Sequence, residues 1–218
     1  VKACNVLVLS VKPDNFPSLL KEISPLVDPN THLVVSIAAG IKISQLASGL
    51  PPNTRIVRVM PNVNCFVGAS ASTICSSQNV SAADVELVKH IFDAVGTTTV
   101  IDEKLIDAAG ACGGSGPAYA FTFIEALADG GVRAGLPRNV AISLAAQALY
   151  GSAKYVIDNP NLHPAQLRDS VCSPGGTSIA GVYALERSGF QASVMEAVNA
   201  AYQRTGELTR ASDLHNKL

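Results

Sequence analysis

The 218-residue sequence has no tryptophan, and aromatic residues of all kinds make up only 5% of it. Its abundant alanine and glycine instead favour helices packed closely through small contact residues. Positive charge is not in surplus. Sixteen Lys and Arg face 17 Asp and Glu, for a formal net charge of −1. That excludes the basic footprint expected of a protein that binds nucleic acid or an acidic membrane surface. Paired cysteines are missing as well. Cys4, Cys65, Cys75, Cys112 and Cys172 are widely spaced, odd in number and without a Cys-x-x-Cys pair. Neither a disulfide framework nor a zinc site is expected, and small buried thiols in a reducing compartment are. His32, His90, His163 and His215 are scattered, so no metal site is expected. No run of about 20 apolar residues predicts a membrane span. No signal or transit segment is visible, although the chain opens on Val1 rather than Met, so its start need not be the natural one. Finally, no Gly-x-Ser-x-Gly elbow follows a strand, which leaves Ser115 of Gly114-Ser-Gly116 as a helix cap rather than a nucleophile. The absence of an obvious acid–base pair fits hydride transfer, in which a cofactor carries the difficult chemistry.

What the sequence does have is apolar mass: 48% of it is hydrophobic. Strands are predicted at Asn5–Lys12, His32–Ala38, Thr54–Met60, Ala71–Ser76 and Thr97–Asp102. Between the first two, Phe16, Leu19, Leu20, Ile23 and Val27 fall at helical spacing. Ser81 and Asp84 mark another helix start, with Val85, Val88, Ile91, Phe92 and Val95 as its buried stripe. This alternation predicts an α/β layer with a mostly parallel sheet over residues 1–102. From 103 to 218 the strand signal stops and helix follows helix. Ala118–Ala134 and Asn139–Ile157 are apolar nearly all round and need burial on several sides. The simplest cover is a second copy of the chain, with a monomeric bundle core as the other reading. A last helix is predicted over Ala192–Arg210, with a polar, frayed tail after it.

Three turns leave the carboxyl ends of apolar strands: Val11-Lys-Pro13, Ala38-Ala-Gly40 and Pro61-Asn62. That edge of an open parallel sheet is where ligands bind. Small residues there admit a flat ring, and Lys12 and Asn62 supply polar contacts. In the second half, Ser173-Pro-Gly-Gly-Thr-Ser178 is a glycine-rich loop entering a helix. The unpaired N–H groups of such a helix start suit a carboxylate or phosphate. A capped helix start without a ligand reads equally well from these residues alone.

Several stretches together resemble pyrroline-5-carboxylate reductases: "VKP" at 11–13, "VVSIAAG" at 34–40, "RVMPN" at 58–62, "GSGPAYAF" at 114–121, "EALADGGVRAGLPR" at 125–138, "AAQALYGSAK" at 145–154 and "HPAQLRDSVCSPGGTSIAGVYALE" at 163–186. The likeness is collinear over nearly the whole chain. It implies a Rossmann-type NAD(P)-binding part at 1–102, incomplete and comprising the C-terminal part of the sheet. An all-helical dimerisation and substrate domain follows at 103–218. The implied reaction is reduction of 1-pyrroline-5-carboxylate to L-proline by NADPH or NADH, in a homodimer that can assemble further into rings. Neither nucleic acid nor a membrane is an expected partner, and the expected compartment is the cytoplasm, with the mitochondrial matrix as the other choice.

By the same resemblance Ser10, Val11, Lys12, Pro13, Ile37, Ala38, Ala39 and Asn62 border the cofactor. Glu103, Ser170, Gly175, Gly176, Thr177 and Ser178 border the substrate, whose carboxylate is held by N–H groups at Thr177 and Ser178. The Ser178 hydroxyl, where the family has Thr, lies near the ring nitrogen. Family members often carry Asn where Ser170 stands. Gly113, Val63 and Asn64 also depart from the usual residues close to the site. The family's opening strand and G-x-G-x-x-G turn, about 60–70 residues of a Rossmann domain, have no counterpart here, so an uncovered sheet edge is expected. Two other readings stand beside the reductase: a truncated isoform or fragment that only dimerises, and an oxidoreductase of another imine or β-hydroxyacid.

Overall fold

The computed structural model describes residues 1–215, with side chains to residue 208. Contacts divide the chain into two compact units, Val1–Pro117 with Val198–Leu218, and Ala118–Ala197.

The first unit is built on a five-stranded sheet in the order β1 (Val6–Leu9), β2 (Leu33–Ser36), β3 (Arg55–Met60), β4 (Ser70–Ser76), β5 (Gly96–Val100). β1, β2 and β3 run parallel, with Leu9, Ser36 and Arg58 in register. β4 turns back antiparallel to β3, and β5 is parallel to β4. The sheet is therefore mixed. The turn after β3 is only the short 3-10 stretch Val63–Val67, too short for the crossover that a parallel neighbour needs.

Each face of the sheet has its own core, because alternate strand residues point to opposite sides. Leu7, Leu9, Val34 and Ile56 pack with α1 (Phe16–Ile23) and α2 (Ile43–Ser48) through Phe16, Leu20, Ile23 and Leu46. Leu33, Val35, Val57, Val59 and Ile74 pack on the other face with Val88 and Phe92 of α3 (Ala82–Asp93). The expected stripe of α3 is narrower than its spacing suggested. Val88 is fully buried, whereas Ile91 is exposed. The cap is as expected: Ser81 accepts from the Asp84 N–H at 3.1 Å, and Asp84 accepts in return from the Ser81 N–H.

β1 stands at the edge of the five strands, and Val8 is 48% exposed. The change from strand to helix falls where the sequence changes, yet the compact unit runs on to Pro117. It does so because Glu103 and Asp107 are paired to Arg58 of β3. After β5, α4 (Ile106–Ala109) passes through a π turn, Gly110–Gly114, into α5 (Gly116–Arg133). The Ser115 N–H bonds to the Gly110 carbonyl at 2.9 Å, and Ser115 has helical dihedrals. Ser115 therefore stands between the π turn and α5, directly before the first residue of that helix.

In the second unit α5 packs on α6 (Arg138–Asp158) through small residues. The buried cluster is Ala128, Ala141 and Ala145, and a Cβ on Gly131 would come within 3.2 Å of Ala141. α7 (Pro164–Ser170) and α8 (Thr177–Arg187) follow, tied by Arg168 to Glu186 at 3.2 Å. α9 (Phe190–His215) continues beyond the expected end at Arg210, and residues 216–218 of the predicted tail lie outside the described residues.

Candidate functional site

The turns after β1 and β2 leave the same edge of the sheet, since Leu9 and Ser36 end those strands in register. Pro13 opens a 3-10 turn at a position where its missing N–H costs nothing, and the Lys12 carbonyl accepts from Asn15 at 2.9 Å. The second turn is pinned at its start: the Ile37 N–H reaches the Leu9 carbonyl at 3.2 Å, and the Ala38 N–H reaches Ser36 Oγ at 3.3 Å. Gly40 sits at φ 75°, which lets the chain reverse into α2. A cavity of about 700 Å³ opens here, lined by Lys12, Pro13, Ala39 and Gly40 and floored by Phe16 and Leu20. The structure thus brings together the two turns predicted to border a cofactor, although Ala38 itself is buried beneath them. The small side chains of Ala39 and Gly40 fit the approach of a planar ring to the backbone.

Asn62 lies on the third turn and apart from that cavity. Its side chain is largely committed within the protein. Nδ2 donates to the Gly113 carbonyl at 2.8 Å, and Oδ1 accepts from the Asn64 N–H at 3.0 Å. Gly113 belongs to the π turn Gly110–Gly114, an element frequent at functional sites. Glu103 is also in the first unit. Its Oε1 accepts from the Ile43 N–H at 2.7 Å and faces Arg58 at 3.5 Å.

Arg58 and Asp107 went unnoticed in the sequence, where Arg58 reads only as part of an apolar strand. The guanidinium is 2% exposed and also reaches Asp107 at 3.4 Å. Cys75 stands opposite Arg58 on β4. Burial pushes its thiol up to about 12, helped by the Glu103 and Asp107 charges and opposed by Arg58. It is an inert core thiol.

The other predicted residues lie together in the second unit. Gly175 takes φ 67°, and the Gly176 N–H bonds the Ser173 carbonyl at 3.0 Å, closing a tight turn onto α8. A Cβ on Gly176 would collide with Ser173 Oγ and come within 3.0 Å of the Ser173 carbonyl. No side chain caps α8. The N–H groups of its first turn, starting at Thr177 and Ser178, therefore form an open anion site with the positive end of the helix dipole behind it. Ser170, at the end of α7, spends its hydroxyl on the Leu167 carbonyl at 2.7 Å, so it is less available to a ligand than expected. Among the described residues no group of three or more His, Cys, Asp or Glu could hold a metal ion.

The same unit carries an apolar surface. Phe121, Leu144, Tyr150, Ile157, Tyr183 and Met195 are between 57% and 74% exposed. A groove of about 610 Å³ runs past Leu127, Leu144, Leu185 and Phe190. By length and composition α6 would also suffice to cross a membrane, with 11% of its most apolar window buried.

Residues 103–208 match the family described as pyrroline-5-carboxylate reductase dimerisation. Pyrroline-5-carboxylate reductase 3 of Macaca fascicularis is 40% identical over 96% of this chain and 76% of its own length. The pyrroline-5-carboxylate reductase of Pisum sativum is 44% identical over 96% of this chain and 76% of its own length. Among solved structures, a pyrroline-5-carboxylate reductase from Coxiella burnetii superposes with a TM-score of 0.90 at 32% identity, covering 95% of this chain and 77% of that one. The Plasmodium falciparum pyrroline carboxylate reductase with NADP bound gives a TM-score of 0.85 at 37% identity, covering 94% and 78%.

Proposed function

The chain belongs to the pyrroline-5-carboxylate reductase family, and from that premise we propose how its residues serve the reaction. The reaction is the reduction of 1-pyrroline-5-carboxylate to L-proline, the last step of proline synthesis, with NADPH or NADH. The nicotinamide cofactor supplies the hydride that reduces the C=N bond. The turns at Ser10–Pro13 and Ile37–Ala39 form the cofactor edge. Ala39 and Gly40 present backbone and methyl surface to the ring, and Lys12 and Pro13 border it from the neighbouring turn. Asn62 serves this edge through the backbone it braces.

The substrate carboxylate is assigned to the N–H groups of Thr177 and Ser178 at the uncapped start of α8. Gly175 and Gly176 bring the backbone close, because neither has a side chain to hold the anion away. Ser178 stands in the first turn of that helix. We assign its hydroxyl to the ring nitrogen, where it would help to keep a proton and so make the imine carbon the better acceptor. Glu103 and Ser170 are assigned to the periphery, their polar atoms being partly engaged already. Holding both reactants in place supplies much of the rate.

The chain self-associates through its dimerisation region. We read the product as a homodimer with the exposed faces of α5, α6 and α8 as its seam, and with the 173–178 loop of one copy completing the cofactor edge of the other. Residues 1–102 then act as the cofactor part and 103–218 as the dimerisation and substrate part. Rings of dimers extend the same arrangement. Five free cysteines suit the reducing cytoplasm or mitochondrial matrix.

The open N-terminus of α8 behind two glycines carries this reading. The experiment is steady-state turnover of 1-pyrroline-5-carboxylate by the 218-residue chain with NADPH and with NADH, alongside titration of each cofactor. Cofactor binding and substrate-dependent oxidation are expected. A folded dimer that binds neither cofactor would reduce the role of this chain to self-association.

A further inference from the structure

Arg58 sits on β3, the central strand of the sheet, and is 2% exposed. Register places it in a row with Ser36 of β2 and Cys75 of β4, at the carboxyl end of the α1/α2 face, just beyond Ile56. A buried guanidinium is costly to desolvate, and a well-packed apolar side chain of similar volume would serve stability as well or better. The pairing to Glu103 and Asp107 offsets that cost only in part, since Nε finds no hydrogen-bond partner among the described residues.

What the guanidinium achieves lies one step further on. Oε1 of Glu103 accepts from the N–H of Ile43 at 2.7 Å, across 60 residues of sequence. Ile43 is the first residue of α2, where helix geometry leaves the N–H without a partner. It is also where the Ile37–Lys42 turn ends. The near end of that turn is fixed on Leu9 and Ser36. Its far end is fixed by Glu103, together with the Lys42 N–H to Gln45 Oε1 at 2.8 Å. The Glu103 side chain is 35% exposed and lies in a short 3-10 turn, so water competes for it. The Arg58 contacts of 3.4 and 3.5 Å are longer than charge-assisted hydrogen bonds. Arg58 therefore acts as a fixed positive charge beside Oε1, whose shorter bond is the one from Ile43.

We propose that Arg58 is a positioning residue for the reductase: it holds Glu103 against the Ile43 N–H, and so sets the Ile37–Lys42 turn that faces the cofactor. Asp107 balances the second arm of the guanidinium and keeps the fork from rotating away from Glu103. The inference rests on the assignment of that turn to the cofactor edge.

The test follows the Ile43 amide in the intact chain by hydrogen exchange, together with kinetics. An N-terminal helical amide is otherwise poorly protected, so its protection reads the Glu103 contact directly. Glu103→Ala is expected to speed Ile43 exchange about tenfold or more, and to raise KM for the cofactor about tenfold with a smaller change in kcat. Glu103→Gln keeps an acceptor oxygen and recovers the exchange protection. Arg58→Met is expected to lose it and Arg58→Lys to keep it, with Arg58→Gln replacing the methionine variant should that fail to fold. Unchanged Ile43 exchange in Glu103→Ala overturns the proposal. So does a rise in KM for 1-pyrroline-5-carboxylate with the cofactor KM unmoved, which would make Glu103 a direct substrate contact. Absence of turnover in the unsubstituted chain would count against the assigned reaction, and the exchange comparison would still decide the positioning role.

Discussion

The side-chain amide of Asn62 donates to the carbonyl of Gly113 at 2.8 Å, joining the turn after β3 to the π turn that precedes α5. The same side chain receives the Asn64 N–H at 3.0 Å. Asn62→Asp keeps the second contact and turns the first into a carboxylate facing a carbonyl. Leaving that acceptor unpaired is expected to cost about 1–3 kcal/mol. Thermal unfolding measures the loss, and a melting temperature equal to that of the parent chain would show that the brace contributes nothing.

The loop before α8 gives a kinetic prediction. Ser178→Ala removes the hydroxyl assigned to the ring nitrogen and is expected to lower kcat/KM for 1-pyrroline-5-carboxylate several-fold, on the order of 1 kcal/mol. Gly176→Ala acts differently. Its new Cβ is crowded by the Ser173 side chain and, at 3.0 Å, by the Ser173 carbonyl, so the turn must shift. KM should rise more than kcat falls. Unchanged kinetics in Ser178→Ala would remove the hydroxyl from the mechanism.

These two sites differ in how far the sequence disclosed them. The glycine-rich turn into α8 was legible because its geometry is local: two glycines followed by two hydroxyl residues at a helix start are neighbours in the chain and remain so in space. The turn at 37–40 was legible for the same reason. The brace between Asn62 and Gly113 was not, since it spans 51 residues and depends on a π turn that no local spacing announces. Arg58 was hidden more completely. Within "TRIVRVM" it reads only as part of an apolar strand, and the pairing with residues 103 and 107 that makes it a buried charge spans 45 and 49 residues of sequence. The sheet is mostly parallel, as expected, and its one antiparallel pair, β3 with β4, had a related cause, because strand direction is set by connection length and pairing rather than by the composition of the strand itself.

Asp84 gives a dependence on pH. Burial pushes its carboxyl up, but hydrogen bonds from the Ser81 hydroxyl and N–H and the Arg55 guanidinium at 2.7 Å outweigh that and hold it below the usual carboxylate value. A carboxyl depressed in the folded state contributes fully above its unfolded value, about 3.9, and loses that contribution as pH falls through the folded value. Asp84→Ala is expected to cost about 1–2 kcal/mol at pH 7, the loss of a capping residue and its partner. The cost should shrink in acid. Urea midpoints at both pH values check this, and a penalty independent of pH would refute the assignment.

Thiol labelling separates the cysteines. Cys4 and Cys112 are exposed, while Cys75 is buried and its thiol is pushed up to about 12. Since the thiolate is the reactive form, iodoacetamide at pH 8 should modify Cys4 and Cys112 in the folded protein and reach Cys75 only on unfolding. Mass spectrometry of the labelled peptides reads the order. Early labelling of Cys75 would mean that the sheet opens beside Arg58.

We assign the apolar face of the second unit to self-association, since among the described residues the buried cluster there is only Ala128, Ala141 and Ala145. Leu144 is 57% exposed and lines the groove shared with Leu127 and Leu185. Covering a leucine contributes about 1.5–3 kcal/mol, and a twofold interface uses each residue twice. Leu144→Arg replaces that gain with a charge that must be stripped of water on both sides. The dimer should therefore weaken about a hundredfold or more. Its helices should persist, because the side chain projects from α6 without supporting the alanine seam. Sedimentation velocity over a dilution series measures the association, and circular dichroism confirms the helices. Because the 173–178 loop is assigned to the partner's cofactor edge, turnover should fall in step with the dimer fraction. A variant that stays dimeric at low protein concentration would place the interface elsewhere, and a fully active monomer would return the substrate loop to its own chain.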